Sequence, residues 1–171
     1  MRSSPAALIR TLKLKKHPEG GHYREVYRSS EHVFVRGLPV RYRGARAFST
    51  SIYFLLQEEE FSAFHRIDSD EIWHFYAGDP LDLFVITPRG LLKKYRLGPG
   101  HFQQMVPHGC WFAGEIAASP TRRKTVSKSF ALLGCTVAPG FDFSGFELAR
   151  AEALSRRYPK HRKLITRLTR A

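Results

Sequence analysis

The stretch FSAFHRIDSDEIWHFYAGDPLDLFVIT, residues 61–87, decides the architecture. It holds three runs of seven residues rich in Phe, Ile, Val, Tyr and Trp, parted by Asp68-Ser69-Asp70 and by Gly78-Asp79-Pro80. Short runs of β-branched and aromatic residues, punctuated by residues that favour turns, specify successive strands. The same rhythm continues on both sides. Upstream lies FSTSIYFLL (48–56); downstream lie LLKKYRL (91–97), QQMVP (103–107), CWFAGEI (110–116) and FALLGCTVA (130–138). Many short strands at near-regular spacing predict an all-β sandwich, jelly roll or barrel. The absence of strand-helix alternation argues against a parallel nucleotide-binding sheet.

The ends read differently. Ser4 before Pro5 is an N-cap with proline in the first turn, and Leu8, Ile9 and Leu12 recur on one face, so a short helix opens the chain. His17-Pro18-Glu19-Gly20-Gly21 breaks it, and residues 22–27 alternate as a strand would. Residues 29–47 mix charge with Gly37, Pro39 and Gly44, as a long hairpin or loop does. After Pro139-Gly140 the chain turns helical, and Leu164, Ile165 and Leu168 form a narrow apolar stripe. A length of 171 residues suits one domain, with a barrel over about residues 20–149 between a basic helix (1–16) and a basic helical segment (150–171).

Hydrophobic residues make up 43% of the chain and aromatics 13%, enough apolar surface to repay chain entropy and form a core. Cys110 and Cys135 lie far apart, each in an apolar stretch, with no CxxC spacing, and read as small core residues in a reducing intracellular compartment, the cytoplasm first. The opening MRSSPAALIRTLKLKK also has the basic, Ser-containing, acid-free composition of an organelle-targeting peptide. No apolar run reaches the roughly 20 residues that cross a bilayer. The net charge of +13 is unevenly placed. Residues 1–16 carry five basic groups and no acid, and residues 150–171 carry eight basic groups and only Glu152, leaving 15 basic and 14 acidic residues between them. A near-neutral body with two basic ends does not require a polyanionic substrate, although the ends themselves can attract nucleic acid or another acidic partner.

The densest set of reactive side chains is His65, Asp68, Asp70, Glu71 and His74, within ten residues. Such a set suits a metal site or an acid/base pocket. Strand parity places His65 and Ile67 on one face and sets Glu71 and His74 on opposite faces of the next strand, whereas Asp68-Ser69-Asp70 reads as a solvated turn.

The blocks PEGGHYREVYRS (18–29), STSIYFLL (49–56), FSAFHRIDSDEIWHFYAGDPL (61–81), VPHGCW (106–111) and LLGCTVAPGFDF (132–143) together resemble the DUF985 family of the cupin superfamily, over roughly residues 7–169. The resemblance implies a double-stranded β-helix, the cupin jelly-roll barrel, with a small-molecule pocket inside it, and a homodimer. It implies no particular reaction. The first cupin motif, HxH with a later Glu and Gly, aligns with His65, Ile67, Glu71 and Gly78; the second, PxGxxH, aligns with Pro107, Gly109 and Phe112. Two of the four customary metal ligands, His65 and Glu71, are therefore present, so no cofactor is expected unless His74 or another residue completes a site for a divalent transition metal.

What is left resembles the metal-free sugar-nucleotide epimerases of the same superfamily, which pair a histidine base with a tyrosine acid. On that likeness His65 is the base, Glu71 the carboxylate that orients it, and Tyr53 a candidate acid. Trp111 is a candidate platform for a ring-shaped ligand, and Tyr23 and Arg24, with Glu25 beside them, are candidate mouth residues, Arg24 suiting a ligand carboxylate or phosphate. The first functional expectation is thus a metal-independent epimerase or isomerase acting on a carbohydrate-like or nucleotide-linked substrate. The alternatives are a non-catalytic small-ligand binding or sensor domain, and a protein that docks on nucleic acid or a complex through its basic ends.

Overall fold

The computed structural model describes residues 4–118 and 129–170; Met1, Arg2 and Ser3 of the basic N-terminal segment, and Ala171, lie outside them. The chain opens with α1 (Pro5–Thr11), whose N-cap Ser4 accepts a hydrogen bond from the Ala7 amide at 3.2 Å. Among the described residues thirteen strands follow: β1 (Lys15–Lys16), β2 (His22–Arg28), β3 (His32–Val33), β4 (Arg46–Ala47), β5 (Thr50–Gln57), β6 (Phe61–Ile67), β7 (Asp70–Gly78), β8 (Leu81–Ile86), β9 (Leu92–Leu97), β10 (Gln103–Val106), β11 (Trp111–Ile116), β12 (Phe130–Ala138) and β13 (Phe146–Leu148). Two short helices, α2 (Ala151–Arg157) and α3 (Arg162–Arg167), end the described chain.

The strands form a six-stranded sheet, β1-β2-β5-β12-β7-β10, facing a five-stranded sheet, β13-β6-β11-β8-β9, and every pairing is antiparallel. The all-β architecture predicted from the strand rhythm is thereby realised as two packed sheets, as the resemblance to the cupin jelly roll implies. Residues 29–47 form a small two-stranded ribbon, β3-β4, with a 3-10 turn at Val35–Gly37.

Three apolar clusters result. The largest fills the space between the sheets and includes Phe54, Trp73, Phe112 and Leu133. A second lies on the outer face of the five-stranded sheet, where Leu154, Tyr158, Ile165 and Leu168 of the C-terminal helices cover Phe84, Ile86 and Trp111. The third lies under α1 on the outer face of the six-stranded sheet and joins Leu14, Leu55 and Phe130. Both cysteines are buried and free. Among the described residues no helix is long and apolar enough to cross a membrane.

Candidate functional site

A cavity of about 360 Å³ opens between the two sheets at the end where β2 and the segment before β13 meet. Its closed end carries Glu19, His65, Glu71 and Cys135, its walls Ile52, Ile67 and Val137. His65 projects from β6 and Glu71 from β7, so the two titratable groups come from opposite sheets. Glu19 reaches the same place from the loop before β2. That loop turns through Gly20 at φ +118°, where a Cβ would overlap the Phe61 carbonyl and the Arg170 guanidinium, so only glycine fits.

His65 is 2% exposed. Its Nδ1 lies 2.8 Å from the Ala63 carbonyl, which can only accept, so Nδ1 carries the hydrogen. Nε2 lies 3.1 Å from Glu19 Oε2, and a single proton must sit between those two atoms. Burial decides where. It lowers His65 to about 3 and raises Glu19 well above the carboxylate range, the nearby Glu71 raising Glu19 further. The pair is therefore neutral, with the Glu19 hydroxyl donating to Nε2 while its other oxygen accepts from Ser62 Oγ at 2.8 Å. Behind the loop, Arg170 Nε donates to the Glu19 carbonyl at 3.1 Å.

Glu71 is 7% exposed, and burial raises it to about 7, partly offset by the neighbouring Cys135 thiol. His17 completes the polar set. Its Nδ1 accepts from the Glu19 amide at 3.3 Å, and burial lowers it to about 4. The mouth is aromatic: His17 sits edge-on to Tyr23 with centroids 4.5 Å apart, and Phe141, Phe143 and Phe146 pack around it. Across the bulge in β2, Arg28 makes two hydrogen bonds to the Glu25 carboxylate at 2.7 and 3.0 Å.

Of the residues singled out in the sequence, the cavity brings together His65, Glu71 and Tyr23, with Arg24 at its rim. Arg24 pairs in register with Tyr53 and holds its guanidinium 5.9 Å from that ring. Three candidates need a correction of place. Tyr53 packs against the cluster under α1, on the outer face of the six-stranded sheet. His74 projects from that same face, as its parity with Glu71 requires, with Nε2 3.0 Å from Thr136 Oγ1 and its ring stacked on Tyr76. Trp111 belongs to the cluster beneath the C-terminal helices, with the Arg66 guanidinium 4.9 Å from its ring. The carboxyl that contacts His65 is that of Glu19, not Glu71. Glu19 and His17 are functional candidates that strand parity misses, since they stand in a turn; the signal present was a His-x-Glu spacing directly before the Gly-Gly break.

Comparison with known proteins fixes the lineage. The family model Cupin_5, described as cupin superfamily (DUF985), matches residues 6–149. The chain belongs to the DUF985 family of the cupin superfamily. A protein from Shewanella oneidensis of known crystal structure is 38% identical to this cupin, with 98% of each chain covered and a TM-score of 0.82. A hypothetical protein from Leishmania major is 32% identical, covering 99% of this chain and 100% of its own, with a TM-score of 0.85. The oxalate decarboxylase of Bacillus subtilis shares the fold alone, at 16% identity and a TM-score of 0.54 over 90% of this chain and 36% of the decarboxylase. A search of curated proteins gave no match.

Cupins commonly hold a metal with histidine and glutamate ligands, and the donors here do not fit one. The two positions where the family motif calls for further histidines are Ile67 and Phe112, both in the apolar core. Phe112 packs on the His65 ring with centroids 4.0 Å apart, and both His65 nitrogens are engaged. His74, the possible substitute, faces the other way. Among the described residues no group of three His, Cys, Asp or Glu side chains converges to hold an ion.

Proposed function

We propose that this cupin binds a small ring-shaped polar molecule in the barrel and moves a proton on it without a metal, as an isomerase or epimerase of a carbohydrate-like or nucleotide-linked substrate. One observation carries the reading. Proton-holding groups stand on opposite sheets, the Glu19–His65 pair on one wall and Glu71 on the other, at the closed end of a cavity walled by apolar side chains.

Epimerisation next to a carbonyl needs a base to remove the C–H proton and an acid to return one from the opposite face. In the proposed step the substrate displaces the Glu19 hydroxyl from His65 Nε2, the freed lone pair takes the C–H proton, the C–H electron pair moves into the enolate, and Glu71 in its acid form delivers a proton to the other face. A carboxyl near pKa 7 can give or take a proton at neutral pH. Tyr23 is the tyrosine at the cavity and replaces Tyr53 as the candidate donor to the enolate oxygen. The aromatic mouth suits the apolar face of a sugar ring or base.

The test is solvent exchange: the protein is incubated in D2O with nucleotide-linked 4-keto sugars, and deuterium next to the carbonyl is read by mass spectrometry. The wild type should incorporate deuterium, and His65→Asn and Glu71→Gln should each slow incorporation at least about 100-fold. Full exchange in His65→Asn would remove it from the base role. Binding without exchange would support a second reading, a non-catalytic ligand-binding cupin, which the engagement of both His65 nitrogens favours. For the assembly, we propose a homodimer through the outer face of the six-stranded sheet, where Ile72, Tyr76 and Met105 are exposed.

A further inference from the structure

The C-terminal cap is apolar on the side that packs and cationic on the side that does not. All eight basic residues of α2, α3 and their flanks are exposed, while the buried positions between them are Leu154, Ser155, Tyr158, Ile165 and Leu168. Two of these cations are spent on carboxylates: Arg156 pairs with Glu152, and Arg167 with Glu115. Arg150, Arg157, Lys160, Arg162 and Lys163 have no ion-pair partner among the described residues. The cap also continues into two adjoining grooves. Arg150 and Arg157 line the first with Arg66; Arg66 and Glu147 are shared with the second, which adds Arg41 and Arg43. The acids bordering this band are few, and Glu147 is already bound to Arg66 at 2.7 Å.

We propose that the C-terminal cap and the two grooves beside it form a docking surface for the phosphate backbone of a nucleic acid, bound by charge and not by sequence. The second groove shares Ile67 and Phe146 with the barrel cavity, but none of the cations lining the two grooves lines that cavity, and the proposal is independent of any chemistry there. Three features select this partner. Residues 150–171 hold seven of the thirteen excess positive charges in 22 residues, so more than half of the excess is concentrated on this one element. Six of the eight cations are arginines, whose planar forks match phosphate oxygens. No large apolar side chain is exposed between residues 149 and 170, so the helices lack the anchor with which a basic amphipathic helix enters a lipid surface.

The experiment is fluorescence anisotropy of the full chain with a DNA duplex of about 20 base pairs, titrated from about 50 to about 200 mM salt. The wild type should bind, and its affinity should fall steeply with salt. The variant Arg150→Gln/Arg157→Gln/Lys163→Gln should bind at least about tenfold more weakly, with the salt slope flattened by about 3, one unit per lost phosphate contact. A charge-matched variant at exposed sites elsewhere, Arg10→Gln/Lys13→Gln/Arg36→Gln, should keep wild-type binding. Circular dichroism and thermal melts would confirm that both triple variants fold. The proposal is overturned if both variants weaken binding equally, if the cap variant binds like the wild type, or if the duplex is ignored while phosphatidylserine vesicles or polyglutamate are bound.

Discussion

A carboxyl sealed at the end of an apolar cavity keeps its proton to higher pH than one in water, because the medium cannot solvate the anion. Glu71 shows the consequence. With a folded value of about 7 against 4.5, the folded chain holds a proton that the unfolded chain has lost over the range between them. Raising pH therefore favours unfolding there: the contribution is full below 4.5 and is lost as pH rises through 7. Glu71→Gln keeps the shape and removes the titration. In urea unfolding followed from about pH 4.5 to about pH 8, the variant should gain on the wild type as pH rises, by roughly 3 kcal/mol at the upper end. A difference that stays constant with pH would show that Glu71 ionises as freely in the fold as in water. His17 and His65 act in the opposite sense, since their folded values of about 4 and 3 lie below 6.5 and cost stability as pH falls from 6.5. Comparison at the single site avoids that overlap.

At the scale of elements, the C-terminal helices are part of the fold and not free arms. Ile165 is fully buried against the outer face of the five-stranded sheet, in the cluster that holds Phe64, Phe84 and Trp111. Ile165→Ala should cost about 2–5 kcal/mol, the range for emptying a packed aliphatic site, read as a lowered urea midpoint at unchanged slope. A loss under about 0.5 kcal/mol would show that the cap is loosely held. The stripe of Leu164, Ile165 and Leu168 was legible in the sequence, but the surface it covers was not, which is why Trp111 reads as a ligand platform until its face is known. The same limit governs Tyr53. Both faces of β5 are covered, one by the inner core and one by α1, so its sequence is apolar on both faces and alternation cannot say whether Tyr53 or Phe54 points inward. On β7, where one face is exposed, parity separated Glu71 from His74 correctly. Glu19 escaped because a turn through Gly20 brings it to His65 from 46 residues away in sequence, a fold-back that no local periodicity encodes.

Across the whole molecule, the two sheets are finished differently on the outside. The five-stranded sheet carries the C-terminal cap, and α1 covers only the part of the six-stranded sheet around Leu55 and Phe130. Farther along that sheet, on β7 and β10, the cross-strand neighbours Ile72 and Met105 are both exposed, with Tyr76 beside them. Tyr76 is held in place from beneath, since a Cβ at Gly134 would overlap its hydroxyl. A sheet face that presents paired apolar residues near an edge strand suits a two-fold contact, in which the same patch serves both copies. Light scattering behind gel filtration should therefore give twice the 19.6 kDa chain mass. Ile72→Asp/Met105→Asp places two charges on each side of that contact and should return the chain to the monomer, with its melting temperature lowered by no more than the loss of the contact explains. Because both side chains are exposed in the single chain, the substitutions should not disturb its core. A wild type that elutes as a monomer at every concentration, or a double variant that remains dimeric, would move the contact elsewhere or remove it.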